Sequence, residues 1–132
     1  MTLRLWPWVP VVLHLVTVFY FSAQPNPLPE LTTRLWDKGL HFVAYGTLGA
    51  LLLFALRSSG AGRALAPLLA VAGASLYGAS DELHQSFVTG RSCELFDWVA
   101  DTLGGALGVA LAALALRLVW SPASIRRASG RG

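Results

Sequence analysis

Four apolar runs, about residues 5–23, 39–56, 64–79 and 98–120, are separated by short polar stretches that hold nearly all of the charge. That alternation predicts four helices that each cross a membrane. The fourth run covers about 33 Å at about 1.5 Å per helical residue, enough for the hydrocarbon core. Trp98 and Trp120 stand at its two ends, where tryptophan favours the interface. The first run follows Arg4 and so also has the look of a signal peptide. Its cleavage site would be Phe21-Ser22-Ala23, with bulky Phe21 where a small residue is needed, so an uncleaved span is expected. Pro7 and Pro10 fall in or near the first turns, where a missing N–H is tolerated. His14, in mid-run, is expected to hydrogen-bond a neighbouring helix.

The connections differ in character. Pro25, Pro27 and Pro29 exclude regular helix over 24–30. Residues 31–38 are expected to form a short amphipathic turn at the interface, anchored by Trp36. A small loop over 57–63 joins the second and third runs, and the tail over 121–132 is basic. These features give a single domain over 1–120, with neither an internal repeat nor a low-complexity tract.

Composition supports a membrane class. Charged residues make up 13% and hydrophobic ones 55%, with a mean hydropathy of +0.56; a soluble domain carries roughly 25% charged residues. The net charge of +3 does not point to nucleic acid, because the excess flanks apolar runs and forms no polar face. Cys93 is the one cysteine, which excludes an intrachain disulfide and zinc-finger spacing. Lys38 is the one lysine beside nine arginines.

Charge also sets an orientation. With four spans, one side carries Arg4, Arg57, Arg63, Arg117, Arg126, Arg127 and Arg131 and no acid. The other carries all seven acids with Arg34, Lys38 and Arg91. The positive-inside rule therefore places both termini in the cytoplasm and the acids outside.

Five of those acids, Asp81, Glu82, Glu94, Asp97 and Asp101, crowd into one stretch between two apolar runs. An uncompensated carboxylate in hydrocarbon costs several kcal/mol, so a function is expected for them. Asp37, His41 and Tyr45 are spaced by four and line one helical face, as do Asp97 and Asp101; Asp81 pairs in the same way with Gln85. Gly104 and Gly108 form a small-xxx-small spacing that admits a close helix neighbour. A carboxylate–histidine pair is suited to general-base work, with Arg91 to grip a phosphate and Gly90 to supply a tight turn before it. Ser86 and Thr89 fit turn and cap duties better than nucleophilic ones. His41 and His84 with Asp81, Glu82 or Asp97 have metal-ligand chemistry, but no His-x-x-x-His or similar spacing is present, so neither metal nor other cofactor is expected. The competing interpretation is structural: Lys38 and Arg91 neutralise the acids while His and Tyr45 fill hydrogen-bond gaps. A one-sided proton or ion path is a third, weakened by the lack of acids on the inner side.

The set Asp37-Lys38-x-x-His41-Phe42-x-x-Tyr45, then Asp81-Glu82-x-x-Gln85-x-Phe87-x-x-Gly90-Arg91, Asp97 and Gly104, resembles the VanZ-like family, as do Ser22 and Gln24-Pro25. The likeness runs from about residue 20 to 108. It implies a small bacterial inner-membrane protein with an outward polar cluster and a role in the cell envelope. The family takes its name from a member associated with teicoplanin resistance, which implies a link to glycopeptide antibiotic response. Carried over by position, its motif residues are Asp37, Lys38, His41, Tyr45, Asp81, Glu82, Gln85, Arg91 and Asp97. Asp101 departs from the pattern, where asparagine is usual; its carboxylate must carry a proton or be reached by Arg91 or Lys38. His84 is not part of the motif.

The expected protein is thus an all-α bundle of four transmembrane helices with an extracytoplasmic polar site. That site binds, or also modifies, an envelope lipid or lipid-linked, phosphate-bearing cell-wall precursor. Asp81, Glu82 and His41 are the catalytic candidates; Arg91, Lys38, Tyr45, Gln85, Asp37, Asp97 and Asp101 are the binding candidates. The alternative is a non-catalytic membrane protein whose polar cluster locks the helices or docks a partner.

Overall fold

The computed structural model describes residues 5–25 and 34–119, and the side chains of these apart from 34–37 and 119. All regular structure among them is helical. A 3-10 turn, Trp6–Trp8, leads into α1, Val9–Ser22; then come α2, Arg34–Ser58, α3, Leu65–Gln85, and α4, Leu95–Val119. Two segments are long and apolar enough to cross a membrane, Lys38–Ser58 and Leu95–Leu118, and Trp6–Ser22 is a shorter apolar helix.

Two boundaries differ from the sequence-based expectation. Helix α3 continues beyond residue 79 to Gln85, because apolarity ends there while helix-compatible residues continue as far as Gly90. Asp81, Glu82 and Gln85 thus lie on this helix, in keeping with the helical spacing of Asp81 and Gln85. Residues 34–38, expected as a separate interfacial turn, are the first turns of α2. Residues 31–33, the proline-rich 26–30 and the tail lie outside the described residues, as does the side chain of the expected anchor Trp36.

Helix α2 lies at the centre, packed most extensively on α4, then on α3, with α1 against its outer side. The α2–α4 contacts advance together along both chains: Lys38 meets Asp97, His41 meets Asp101, and Phe42 and Gly46 meet Gly104 and Gly108. The two helices are thus parallel. Small residues bring them together, since a Cβ on Gly104 would collide with the Phe42 carbonyl and one on Gly108 with the Gly46 carbonyl. The small spacing at Gly104 and Gly108 does what its pattern predicts, and Gly49 against Gly105 extends the contact. Helix α3 presents Ala66, Ala70, Ala74 and Gly78, one per turn, as its buried face. Polar ties across helices add direction. His14 Nε2 bonds the Ala44 carbonyl at 2.9 Å, as expected of a histidine in that run. Tyr77 donates to the Leu15 carbonyl at 2.8 Å, and Trp98 Nε1 to the Ser75 carbonyl at 3.0 Å.

Candidate functional site

The buried stripe of α3 turns polar without changing direction. After Gly78 the same face carries Asp81, Glu82 and Gln85, all 5% exposed or less. The start of α2 and the start of α4 lie against that end, so one end of the molecule gathers polar side chains from three helices. An acid in the first turn of α4 is also favoured by the helix dipole, which suits Asp97.

Three sub-networks satisfy most of these groups. Lys38 bridges α2 to α4, donating to Glu94 at 3.0 Å and to Asp97. One turn further in, His41 Nδ1 pairs with Asp101 Oδ1 at 2.9 Å. Asp101 is fully buried, and it sits against Gly78, where a Cβ would stand 2.8 Å from Oδ2. Arg91 folds back onto α3, with Nη2 2.6 Å and Nε 3.2 Å from Gln85 Oε1, while Gln85 Nε2 donates to Asp81 Oδ2 at 3.2 Å. Gly90, at φ +82°, makes the turn that allows this return.

Glu82 accepts the Glu94 backbone N–H at 2.7 Å through Oε2, which ties the loop before α4 to the end of α3. Its other oxygen has no hydrogen-bond partner among the described residues. Glu82 lies beyond the apolar 64–79 run, and burial pushes its carboxyl up to about 7 against the opposing pull of the Glu94 N–H and His41.

Beside this cluster lies a cavity of about 270 Å³ between α1, α2 and α3. Val18, Phe21, Leu40 and Ala44 supply apolar wall, and Ser22, His41, Tyr45, Asp81, Gln85 and Arg91 supply polar groups. Among the described residues the buried Ser22 hydroxyl has no hydrogen-bond partner, and the buried Tyr45 hydroxyl has only the nearby Asp81 carboxylate to turn to. A buried hydroxyl left unpaired costs about 1–3 kcal/mol, so Ser22 on this cavity fits a polar ligand atom.

A family model described as VanZ/LLP1 matches residues 4–117 of the 132. The chain belongs to this family. No match was found among curated proteins or solved structures. Membership in VanZ/LLP1 and the two apolar helices mark it as a membrane protein.

The residues on which the resemblance to this family rests fall into two groups in space. Tyr45, Asp81, Gln85 and Arg91 face the cavity. Lys38, Glu82 and Asp97 lie off it: Lys38 donates to Asp97 and Glu94, and Glu82 accepts the Glu94 N–H. His41 belongs to both groups. The side chain of Asp37 is outside the described residues. Arg91 and Lys38, the two cations among the binding candidates, engage different partners, and only Arg91 lines the cavity. Asp101 is reached neither by Arg91 nor by Lys38; His41 pairs with it. His84, away from the motif, lies with its ring 4.7 Å from that of Phe19. Ser22 was not among the site candidates, although its place in the family pattern at the end of the first run was the signal for it.

Proposed function

We propose that this is a multi-pass bacterial inner-membrane protein whose outward-facing cavity binds a phosphate-bearing envelope lipid or lipid-linked cell-wall precursor. Four spans with both termini in the cytoplasm agree with the charge asymmetry between its two sides. The many exposed apolar side chains on α1, α3 and α4, such as Leu13, Val16, Leu68, Leu76, Leu107 and Leu111, suit contact with lipid tails. Family membership supports a place in the envelope and in its response to glycopeptide antibiotics.

One observation carries the proposal: Arg91 lines a largely apolar cavity that also holds the buried Ser22 hydroxyl, unpaired among the described residues, and the buried Tyr45 hydroxyl beside Asp81. A guanidinium grips phosphate oxygens in a planar fork, and Gln85 already orients it. Ser22 and Tyr45 would donate to the remaining oxygens, and the apolar wall would accept the start of a lipid chain. Asp81, on the cavity wall, is the group placed to exchange a proton with a bound ligand.

The test is direct. Purified protein is incubated with an envelope lipid extract, re-isolated, and its lipids compared by mass spectrometry with those on Arg91→Ala. Phosphate-bearing species are expected on the wild type and depleted about tenfold on the variant, the loss of one charge-assisted contact of roughly 1.5 kcal/mol. No bound or converted species specific to the wild type would sink the proposal.

A second reading rests on the Lys38 bridge to Glu94 and Asp97, which ties α2 to the start of α4. If the cluster only locks the bundle, Asp81→Asn and Asp97→Asn would lower stability in detergent, and any envelope phenotype would follow protein level alone.

A further inference from the structure

We infer that His41, Glu82 and Asp97 together bind one divalent transition-metal cation, with Asp101 positioning His41 from behind. The three residues come from α2, α3 and α4, and one ligand atom of each lies within 4.8 Å of the others. All three are buried, at 9%, 3% and 3% exposure. An ion about 2.0–2.2 Å from each ligand needs them somewhat closer, which small side-chain rotations supply.

Three further features point to a cation. The first is an orphaned atom: Glu82 Oε1 is buried without a partner among the described residues, while Oε2 is held by the Glu94 N–H. A carboxylate held by one oxygen with the other left bare in a buried site is short of a cation or a donor. The second is charge. Glu82, Glu94, Asp97 and Asp101 face one lysine, Lys38, which pairs with both Glu94 and Asp97. With His41 neutral and the acids ionised those side chains sum to −3, an anionic excess that a divalent ion reduces. The third is the support behind the imidazole. Asp101 accepts from His41 Nδ1, which fixes the tautomer and leaves Nε2 with its lone pair free. A carboxylate behind a histidine is the usual support of a metal-bound imidazole. One nitrogen and two carboxylates suit zinc or manganese, whereas calcium and magnesium prefer oxygen alone. By residue type the sequence offered His41, Glu82 and Asp97 among the metal-ligand candidates, but positions 41, 82 and 97 form no short motif that would single them out. His84, offered with them by type, is not part of the group.

The experiment uses the tag-free full chain in detergent, in a Cys93→Ser background that removes the exposed thiol. Protein stripped with chelator is dialysed against Zn²⁺ alone, and bound metal is counted by mass spectrometry. About one zinc per chain is expected, unaffected by excess Ca²⁺ or Mg²⁺, and a Zn²⁺-dependent rise in melting temperature should accompany it. Glu82→Gln and Asp97→Asn should each weaken binding at least about tenfold, whereas His84→Ala should not. Failure of the folded parent to bind stoichiometrically overturns the inference, as does unaltered binding by the folded Gln and Asn variants. Should those variants not fold, Co²⁺ is added to the parent. A d–d absorption band that one equivalent of Zn²⁺ erases supports the site, and a folded parent without that band overturns it. No lipid enters this experiment, so its failure leaves the lipid-binding proposal standing, and the reverse also holds.

Discussion

Asp101 shows what a single residue can and cannot disclose. Its spacing from Asp97 put it on an inward face, and that much the structure bears out, since it is fully buried. Its partner was not legible. Lys38 and Arg91 were the obvious cations in the sequence, yet His41, 60 positions away, makes the contact. The cause is register. Lys38 lies nearly a turn before His41 on α2 and is spent on Asp97, so the next turn of each helix pairs His41 with Asp101. This pairing makes a prediction about substitution. Asn at 101 keeps a side-chain oxygen that accepts from His41 Nδ1, so Asp101→Asn should cost less than about 1.5 kcal/mol. Asp101→Leu leaves the His41 N–H buried without this acceptor and should cost more, up to about 3 kcal/mol. Unfolding of both variants in detergent measures the difference. Equal losses would show that the carboxylate's charge, and not its hydrogen bond, is what the site requires.

At the scale of helices, apolar periodicity was enough to find all four elements, and it failed only where polarity and helicity part company. The end of α3 is the clearest case. Residues 80–85 lose apolar character but contain neither Gly nor Pro, so the backbone hydrogen bonding runs on and turns Asp81, Glu82 and Gln85 inward. The start of α2 misled in the same way, because charge at 34–38 looked like an interfacial turn. What no single-chain pattern conveys is which helices touch, and here the glycines decide it. Gly46 and Gly49 on α2 abut Gly104, Gly105 and Gly108 on α4, backbone to backbone, with no flexible side chain to move aside. Gly108→Ala should therefore force the pair apart and cost about 1–3 kcal/mol. Gly39→Ala, at a helical site with no atom within 4 Å of the new Cβ, should be neutral or stabilising by up to about 1 kcal/mol from helix propensity. Thermal unfolding of the two variants side by side checks this. Matching behaviour would mean that the close approach of α2 and α4 is not what holds the bundle. Since Lys38, His41, Asp97 and Asp101 all sit on these two helices, Gly108→Ala should also loosen the polar cluster about two turns away.

For the whole molecule, the decisive quantity is the side of the membrane on which the cluster sits. The parallel course of α2 and α4, with α3 returning between them, brings Lys38, Asp81, Glu82, Asp97 and Arg91 to one end and the 59–64 connection to the other. In the proposed topology the polar end faces outward, because arginines without acids occupy the opposite side. Cys93 offers a native probe: it is the one cysteine, it is exposed, and it lies in the connection just before α4. A membrane-impermeant maleimide should therefore label Cys93 in intact spheroplasts. The converse probe is Gly62→Cys in a Cys93→Ser background, at an exposed loop position with open space around it. It should resist the reagent until the cells are lysed. The reverse pattern would turn the cavity and Arg91 toward the cytoplasm, beyond the reach of a lipid-linked precursor displayed on the outer face. The envelope-ligand proposal would then fall, while the metal inference, which depends only on the geometry of His41, Glu82 and Asp97, would not.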